Sequence, residues 1–225
     1  MDVKGAYLNG TLKETIYMHQ PDSFKDGIRW VCHLIKTLYG FKQSGREWNA
    51  EFDKKMRLQG YKWLQADLCI YTSSGPERTA IITVWMDNLL LFADSEETME
   101  MMKKDIHIKW ETTDMGEPLK IVSIKITHSP NQISILQKKS LERILEKQGL
   151  ANANAVQMPL DFGTKILPNP DGNEGNWSNS YAQLLGELQY IANSTHPNIT
   201  YAVNHLALYT ANLSMQHITA LKRVL

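Results

Sequence analysis

No apolar run in this 225-residue chain approaches the roughly 18 residues that suggest a membrane span. The first ten residues, MDVKGAYLNG, also lack the apolar stretch of a secretion signal. No membrane partner is therefore expected. Cysteine is scarce: Cys32 and Cys69 form no CxxC pair and read as reduced core thiols of an intracellular protein, in cytoplasm or nucleus. The seven histidines contain no HExxH or similar spacing, which argues against a zinc site. Net charge is absent as well, with 24 Lys and Arg against 24 Asp and Glu. A chain that neutralises many phosphates normally carries a basic surplus, so tight non-specific binding to nucleic acid by the chain alone is not expected. Internal repeats and coiled-coil patterns are missing too. What remains is 43% hydrophobic and 21% charged, an ordinary globular composition with length for one or two domains.

The most informative stretch is TAIITVWMDNLLLFAD, residues 79–94. Two apolar runs of strand length flank the polar pair Asp87-Asn88, which predicts a buried β-hairpin with that pair at its tip. The pair reads either as turn chemistry alone or as a carboxylate on a rigid arm, able to hold a metal ion with a second acid. The first candidate for that acid is Asp2.

Along the chain, Ile16–Met18 and residues 28–35 suggest strands. Ser44 and Glu47 suggest a capping box, followed by a helix whose Trp48, Phe52 and Met56 share one face, with Gly60 as its stop. Residues 72–77 read as a loop rich in Ser, Gly and Pro. Asp94 to Glu97 suggest a second capping box, before a helix with Met99, Met102, Ile106 and Trp110 inward. Leu119–Thr127 and Ile133–Leu136 suggest a hairpin, and Ser140–Gln148 a short helix. Residues 151–179, rich in Asn, Pro and Gly, read as a linker. Helical patterns fill 180–225, broken at His196-Pro197.

Five of these segments, in this order, resemble the reverse transcriptases of copia-type retrotransposons. MDVKGAYLNGTLKETIYMHQP is similar to that family's MDVKTAFLNGxLxExIYMxQP, and VCHLIKTLYGFKQSGREW to its VCKLxKSLYGLKQAPRxW. Residues 67–71 resemble its DxCxY segment. TVWMDNLLLFAD stands where the family has a Tyr-Val-Asp-Asp hairpin, and YAQLLGELQYIANSTHPNITYAV resembles its helical connection region.

The resemblance implies an α+β fold of reverse-transcriptase type. It would have a palm with partial fingers over 1–127, a thumb-like segment over 128–160, a linker over 161–179 and a helical connection over 180–225. It implies RNA-directed DNA synthesis with a template-primer, a deoxynucleoside triphosphate and two Mg2+ ions, for which carboxylates are the suitable hard ligands. Asp2 and Asp87 would bridge the metals, and Asn88 occupies the third carboxylate's position. Tyr7 would sit under the incoming sugar. Tyr39, Gly40 and Gln43 would form part of the nucleotide pocket, and the hairpin of residues 119–137 would grip the primer end. Lys138, Lys139 and Arg143 would touch backbone phosphates.

The departures from the family set further expectations. Asn88 brings no negative charge. Asp2 follows the first methionine, where the family has a further fingers stretch, so Asp2 is expected to fray. Gly45 replaces a proline, and Val122-Ser123-Ile124 replaces Leu-Gly-Ile. The chain stops at Leu225, before any ribonuclease H domain, so fingers or ribonuclease H would come from another chain if at all. Weak or absent activity by this chain alone is expected. The alternative is a non-catalytic nucleic-acid- or protein-binding module, or a relic that kept the fold.

Overall fold

The computed structural model describes all residues except 26, 28, 29, 76, 77, 161, 162, 164 and 170–177. Two units emerge, residues 1–118 and 119–225. The elements of the first unit, in chain order, are β1 (Asp2–Val3), β2 (Thr11–His19), β3 (Val31–Lys36), α1 (Ser44–Leu58), β4 (Lys62–Trp63), β5 (Ile70–Gly75), β6 (Arg78–Trp85), β7 (Asn88–Ala93), α2 (Glu96–His107) and β8 (Thr112–Thr113). Six strands form one antiparallel sheet in the order β4-β5-β6-β7-β1-β8, and β2 pairs with β3 apart from it.

The sheet buries one face, as period-two alternation dictates. Ala80, Ile82 and Val84 of β6 are buried, whereas Ile81 and Thr83 are half-covered. Against the buried face pack two helical stripes, Trp48, Phe52 and Met56 of α1 and Met102 and Ile106 of α2. Trp110 stacks on Phe52 with ring centroids 5.0 Å apart and joins this core. Met99 is only half-buried.

Several local expectations are corrected. Ser44 does not cap α1: it is the first helical residue, and its hydroxyl donates to the Leu38 carbonyl at 2.6 Å. Glu47 pairs with Arg46 and Lys13 instead of reaching back to the cap. The cap of α2 is Ser95, which accepts from the Thr98 N–H; Asp94 accepts from the Thr79 N–H. Residues 72–75 are strand, because they complete the ladder with β6; Pro76 and Glu77 lie outside the described residues. β2 runs well beyond Ile16–Met18, and β3 starts at Val31, with Ile28 and Arg29 outside the described residues. Cys32 is half-buried and Cys69 exposed, so neither is a core thiol. Gly60 stops α1 as expected, at φ 87°.

The second unit holds β9 (Lys120–Ile121), β10 (Ile124–Ser129), β11 (Gln132–Leu136), α3 (Lys138–Lys147), α4 (Ser178–Ser194), α5 (Thr200–Ala207) and α6 (Met215–Arg223). Residues 119–127 are not one strand. Val122 and Ser123 both have positive φ, 43° and 65°, and turn the chain between β9 and β10. Such a two-residue turn, with both central residues left-handed, suits a tight hairpin, so the hairpin becomes a three-stranded meander. Ile144 of α3 packs with Leu184, Leu188 and Ile191 of α4, Val203 and Leu206 of α5 and Leu221 of α6.

Residues 165–169, expected within a linker, are docked on this bundle. Ile166 is buried, the Tyr209 hydroxyl donates to its carbonyl at 2.8 Å, and the Asn169 amide donates to the Leu213 carbonyl at 2.6 Å. Fully buried His217 accepts from the Ser214 N–H at 2.9 Å and meets the Leu167 carbonyl at 3.0 Å through Nε2. Burial pushes the Tyr181 hydroxyl up to about 12, consistent with its bond to the Leu206 carbonyl at 2.9 Å. Among the described residues no helix is long and apolar enough to cross a membrane.

Candidate active site

The site is built on β1, the shortest of scaffolds, yet β1 is an inner strand. Asp2 lies opposite Asn88 of β7 on one side and Thr113 of β8 on the other. The Val3 N–H donates to the Asp87 carbonyl and the Lys4 N–H to the Glu111 carbonyl, at 2.8 and 2.9 Å. Met1 and Leu89 exchange two backbone bonds at 2.8 Å. Val3 is buried in the core. The expected fraying of Asp2 is thus overturned: ladders on both flanks and a buried neighbour hold its backbone.

The opposite arm is the β6–β7 hairpin. Its last cross-strand pair is Trp85 with Asn88, so the two turn residues are Met86 and Asp87 rather than Asp87 and Asn88. Met86 adopts φ 58°, a left-handed conformation that costs an L-residue about 1–2 kcal/mol. The indole N–H of Trp48 donates to the Met86 carbonyl at 2.8 Å, tying the turn to α1.

Asp2 and Asn88, directly opposite on antiparallel strands, place their side chains on the same face of the sheet. Val3 and Leu89 take the buried face. Asp2 and Asp87 are half-buried and Asn88 is exposed. The Asn88 amide donates to Asp87 Oδ1 at 2.9 Å, so one carboxylate oxygen is already engaged by a neighbour. Hard oxygen donors of this kind suit a hard divalent cation. The set fits in chemistry but is short in charge: two carboxylates and one neutral amide. Among the described residues no group of three or more His, Cys, Asp and Glu could hold an ion.

A further acid, Asp114, follows β8, outside the set that sequence reasoning offers. Its carboxyl is held below the ordinary range by the Gly116 N–H and then by Lys103, 3.0 Å away. Trp48 was expected only as core. Its bond to Met86 depends on long-range packing, which no local pattern announces.

The nucleotide-pocket candidates come together in part. Tyr7 lies in a 3-10 turn, Ala6–Asn9, and its ring centroid is 5.0 Å from that of exposed Tyr39. The Thr37 hydroxyl donates to the Tyr7 carbonyl, and the Thr37 N–H to the Gly10 carbonyl at 3.0 Å. Gly40 has φ 94° and Gln43 precedes the first turn of α1. Gly10 is required by close approach: a Cβ there would meet the backbone N of Trp48 and Thr37 Oγ1 at 3.0 Å. In the second unit, Lys138, Lys139 and Arg143 are exposed on α3, and Lys138 pairs loosely with Glu142 at 3.7 Å.

The family model described as reverse transcriptase (RNA-dependent DNA polymerase) matches residues 1–161. The Retrovirus-related Pol polyprotein from transposon TNT 1-94 of Nicotiana tabacum is 32% identical over the whole chain, which spans 18% of that polyprotein. The corresponding polyprotein from transposon RE1 of Arabidopsis thaliana is 28% identical over the whole chain, 15% of its own length. A putative transposon Ty5-1 protein of Saccharomyces cerevisiae is 25% identical over the whole chain, here 74% of its length. The chain thus spans less than a fifth of the plant polyproteins it matches. No solved structure matches significantly. With the model covering most of the chain and transposon Pol polyproteins aligned along all of it, the chain belongs to the reverse transcriptase (RNA-dependent DNA polymerase) family, in its copia-type form.

Proposed function

We propose that this chain carries a polymerising centre for RNA-directed DNA synthesis, with Asp2 and Asp87 as its two charged metal ligands and Asn88 as a weakened third position. The observation that carries this reading is the register of Asp2 opposite Asn88, with Asp87 in the adjoining turn. The substrates would be an RNA or DNA template with its primer and a deoxynucleoside triphosphate, and the cation Mg2+. Bound divalent cations supply charge neutralisation for the attacking 3′-hydroxyl and the leaving pyrophosphate.

The chain's own residues do the rest. Asp2 is positioned by ladders on both sides, which limits its drift. Asp87 keeps one oxygen clear of the Asn88 amide. Tyr7, fixed through the Thr37 hydroxyl, packs under the incoming sugar and disfavours a 2′-hydroxyl. The backbone of residues 39–43 and the Gln43 side chain border the nucleotide. The β9–β11 meander holds the primer end, and Lys138 and Lys139 contact backbone phosphates. Arg143, which the resemblance groups with them, lines a cleft described below.

The cost of Asn88 can be bounded. Two unit charges about 4 Å apart, at an effective dielectric near 20, interact by about 4 kcal/mol. With about 1.4 kcal/mol per tenfold in rate, replacing an anion by an amide removes roughly two to three powers of ten. The amide N–H on Asp87 also favours a second reading, a binding module that kept the fold and lost the chemistry.

Primer extension with Mg2+ separates the two. Slow extension by the native chain, abolished in Asp87→Asn and raised in Asn88→Asp, is the expected result. Extension that persists in Asp87→Asn overturns the assignment of the centre. Primer–template binding with no extension, even in Asn88→Asp, supports the binding module.

A further inference from the structure

A cleft of about 330 Å³ opens within the second unit; among its lining residues only Arg143 and Ser123, the latter in the meander turn, have a role assigned above. Its walls come from three elements: Ser123 of the β9–β10 turn, Arg143 and Ile144 of α3, and Gly186, Glu187 and Tyr190 of α4. The Tyr190 hydroxyl donates to the Val122 carbonyl and fixes one wall to the turn. Ile144 is buried and provides an apolar floor. A Cβ on Gly186 would meet no heavy atom within 4 Å, so α4 leaves open space there.

The polar groups of this cleft are matched only in part. Glu187 Oε1 takes Lys147 and the Gln183 amide, both at 3.4 Å. Glu187 Oε2 is shielded from solvent and has no hydrogen-bond partner among the described residues. Arg143 lines the same cleft and makes no ion pair among the described residues, so it lies beyond 4.0 Å from the Glu187 carboxylate. Opposite charges that share a cleft without meeting call for something between them. That ligand must offer N–H donors to a carboxylate and acceptors to a guanidinium, on a body flat and apolar enough for Ile144 and Tyr190.

The geometry points to a guanine base as the ligand of this cleft. Guanine presents N1–H and N2–H donors on its Watson–Crick edge, for Glu187, and the O6 and N7 acceptors that arginine reads, for Arg143. Unpaired bases are commonly read on both edges while stacked on aromatic side chains. Adenine places a lone pair at N1 where guanine has its proton, so the carboxylate discriminates against it. A free nucleotide and a base splayed from a single strand present the same guanine chemistry. The inference does not rest on the polymerase reading, since none of these residues belongs to the Asp2–Asp87 centre.

Calorimetric titration of the whole chain with 5′-GMP and with 5′-AMP tests it. The expected result is GMP binding at least about tenfold tighter than AMP. Glu187→Gln, nearly isosteric, should weaken GMP by about tenfold or more. Gly186→Leu, which fills the open space beside α4, should do the same. Asp87→Asn should retain GMP binding, which separates this cleft from the polymerising centre. A thymidine oligonucleotide with one internal guanine identifies the source: tighter binding than GMP means a strand, weaker binding a free nucleotide, and both uphold the site. Equal affinities for GMP and AMP, unchanged binding in Glu187→Gln with native circular dichroism, or no GMP binding at millimolar concentration would overturn it.

Discussion

Ser123 holds φ 65° at the second position of the β9–β10 turn, where copia-type relatives carry glycine in the resembling motif. The left-handed backbone at this position is one that glycine adopts without steric cost. A left-handed L-residue costs about 1–2 kcal/mol, and glycine forfeits about 0.5–1 kcal/mol of that in chain entropy. Ser123→Gly is therefore expected to stabilise the chain by about 0.5–1 kcal/mol, read from denaturant unfolding; a loss of stability would contradict the turn assignment. Met86 shows a related tension at φ 58°, in a turn compensated by the Trp48 indole. Asn88 was legible as a neutral residue in an acid's place. That its amide would donate to Asp87 was not, because a rotamer choice leaves no trace in composition.

At the scale of elements, the helical stripes were legible because burial imposes a period. Trp48, Phe52 and Met56 recur every fourth residue and all three are buried. Caps were less legible: the Ser44–Glu47 spacing fits a capping box, but Glu47 is drawn to Arg46 and Lys13 and Ser44 to Leu38. The strap at 165–169 was illegible for another reason. It is held through its own carbonyls and one amide by Tyr209, Gln216 and Leu213, groups 43 to 51 residues away in sequence, and backbone acceptors look alike in any loop. Gly10 is where element packing reaches the candidate site. Its neighbours leave no room for a Cβ, and α1, to which Glu47 and Trp48 belong, holds the Met86 turn through Trp48. Gly10→Ala is expected to cost about 1–3 kcal/mol, as over-packing does, and to lower primer extension beyond the loss of folded protein. An unchanged melting temperature would show that α1 can shift freely.

Over the whole molecule, zero net charge conceals an uneven distribution. Residues 1–118 carry 15 Lys and Arg against 18 Asp and Glu, and residues 119–225 carry 9 against 6. Between Glu117 and Glu142 there is no acid at all, while Lys120, Lys125, Lys138 and Lys139 fall in that stretch. The neutral total argued against phosphate binding; the division into units weakens that argument, because counterion release depends on local cations. The combined change Lys138→Gln with Lys139→Gln is expected to reduce the slope of log affinity against log salt by up to about 2 for primer–template. An unchanged slope would place phosphate contacts elsewhere. Tertiary pairing of β1 between β7 and β8 was likewise out of reach of local patterns, since the paired residues lie more than 80 residues apart.

The central claim is that Asp2 and Asp87 form a cation site weakened by the amide of Asn88. The most direct test is the Mg2+ concentration at half-maximal primer extension, measured for the native chain and for Asn88→Asp. The account predicts a midpoint at least about tenfold lower in Asn88→Asp, together with faster extension at saturation. Identical midpoints in the two proteins would contradict it.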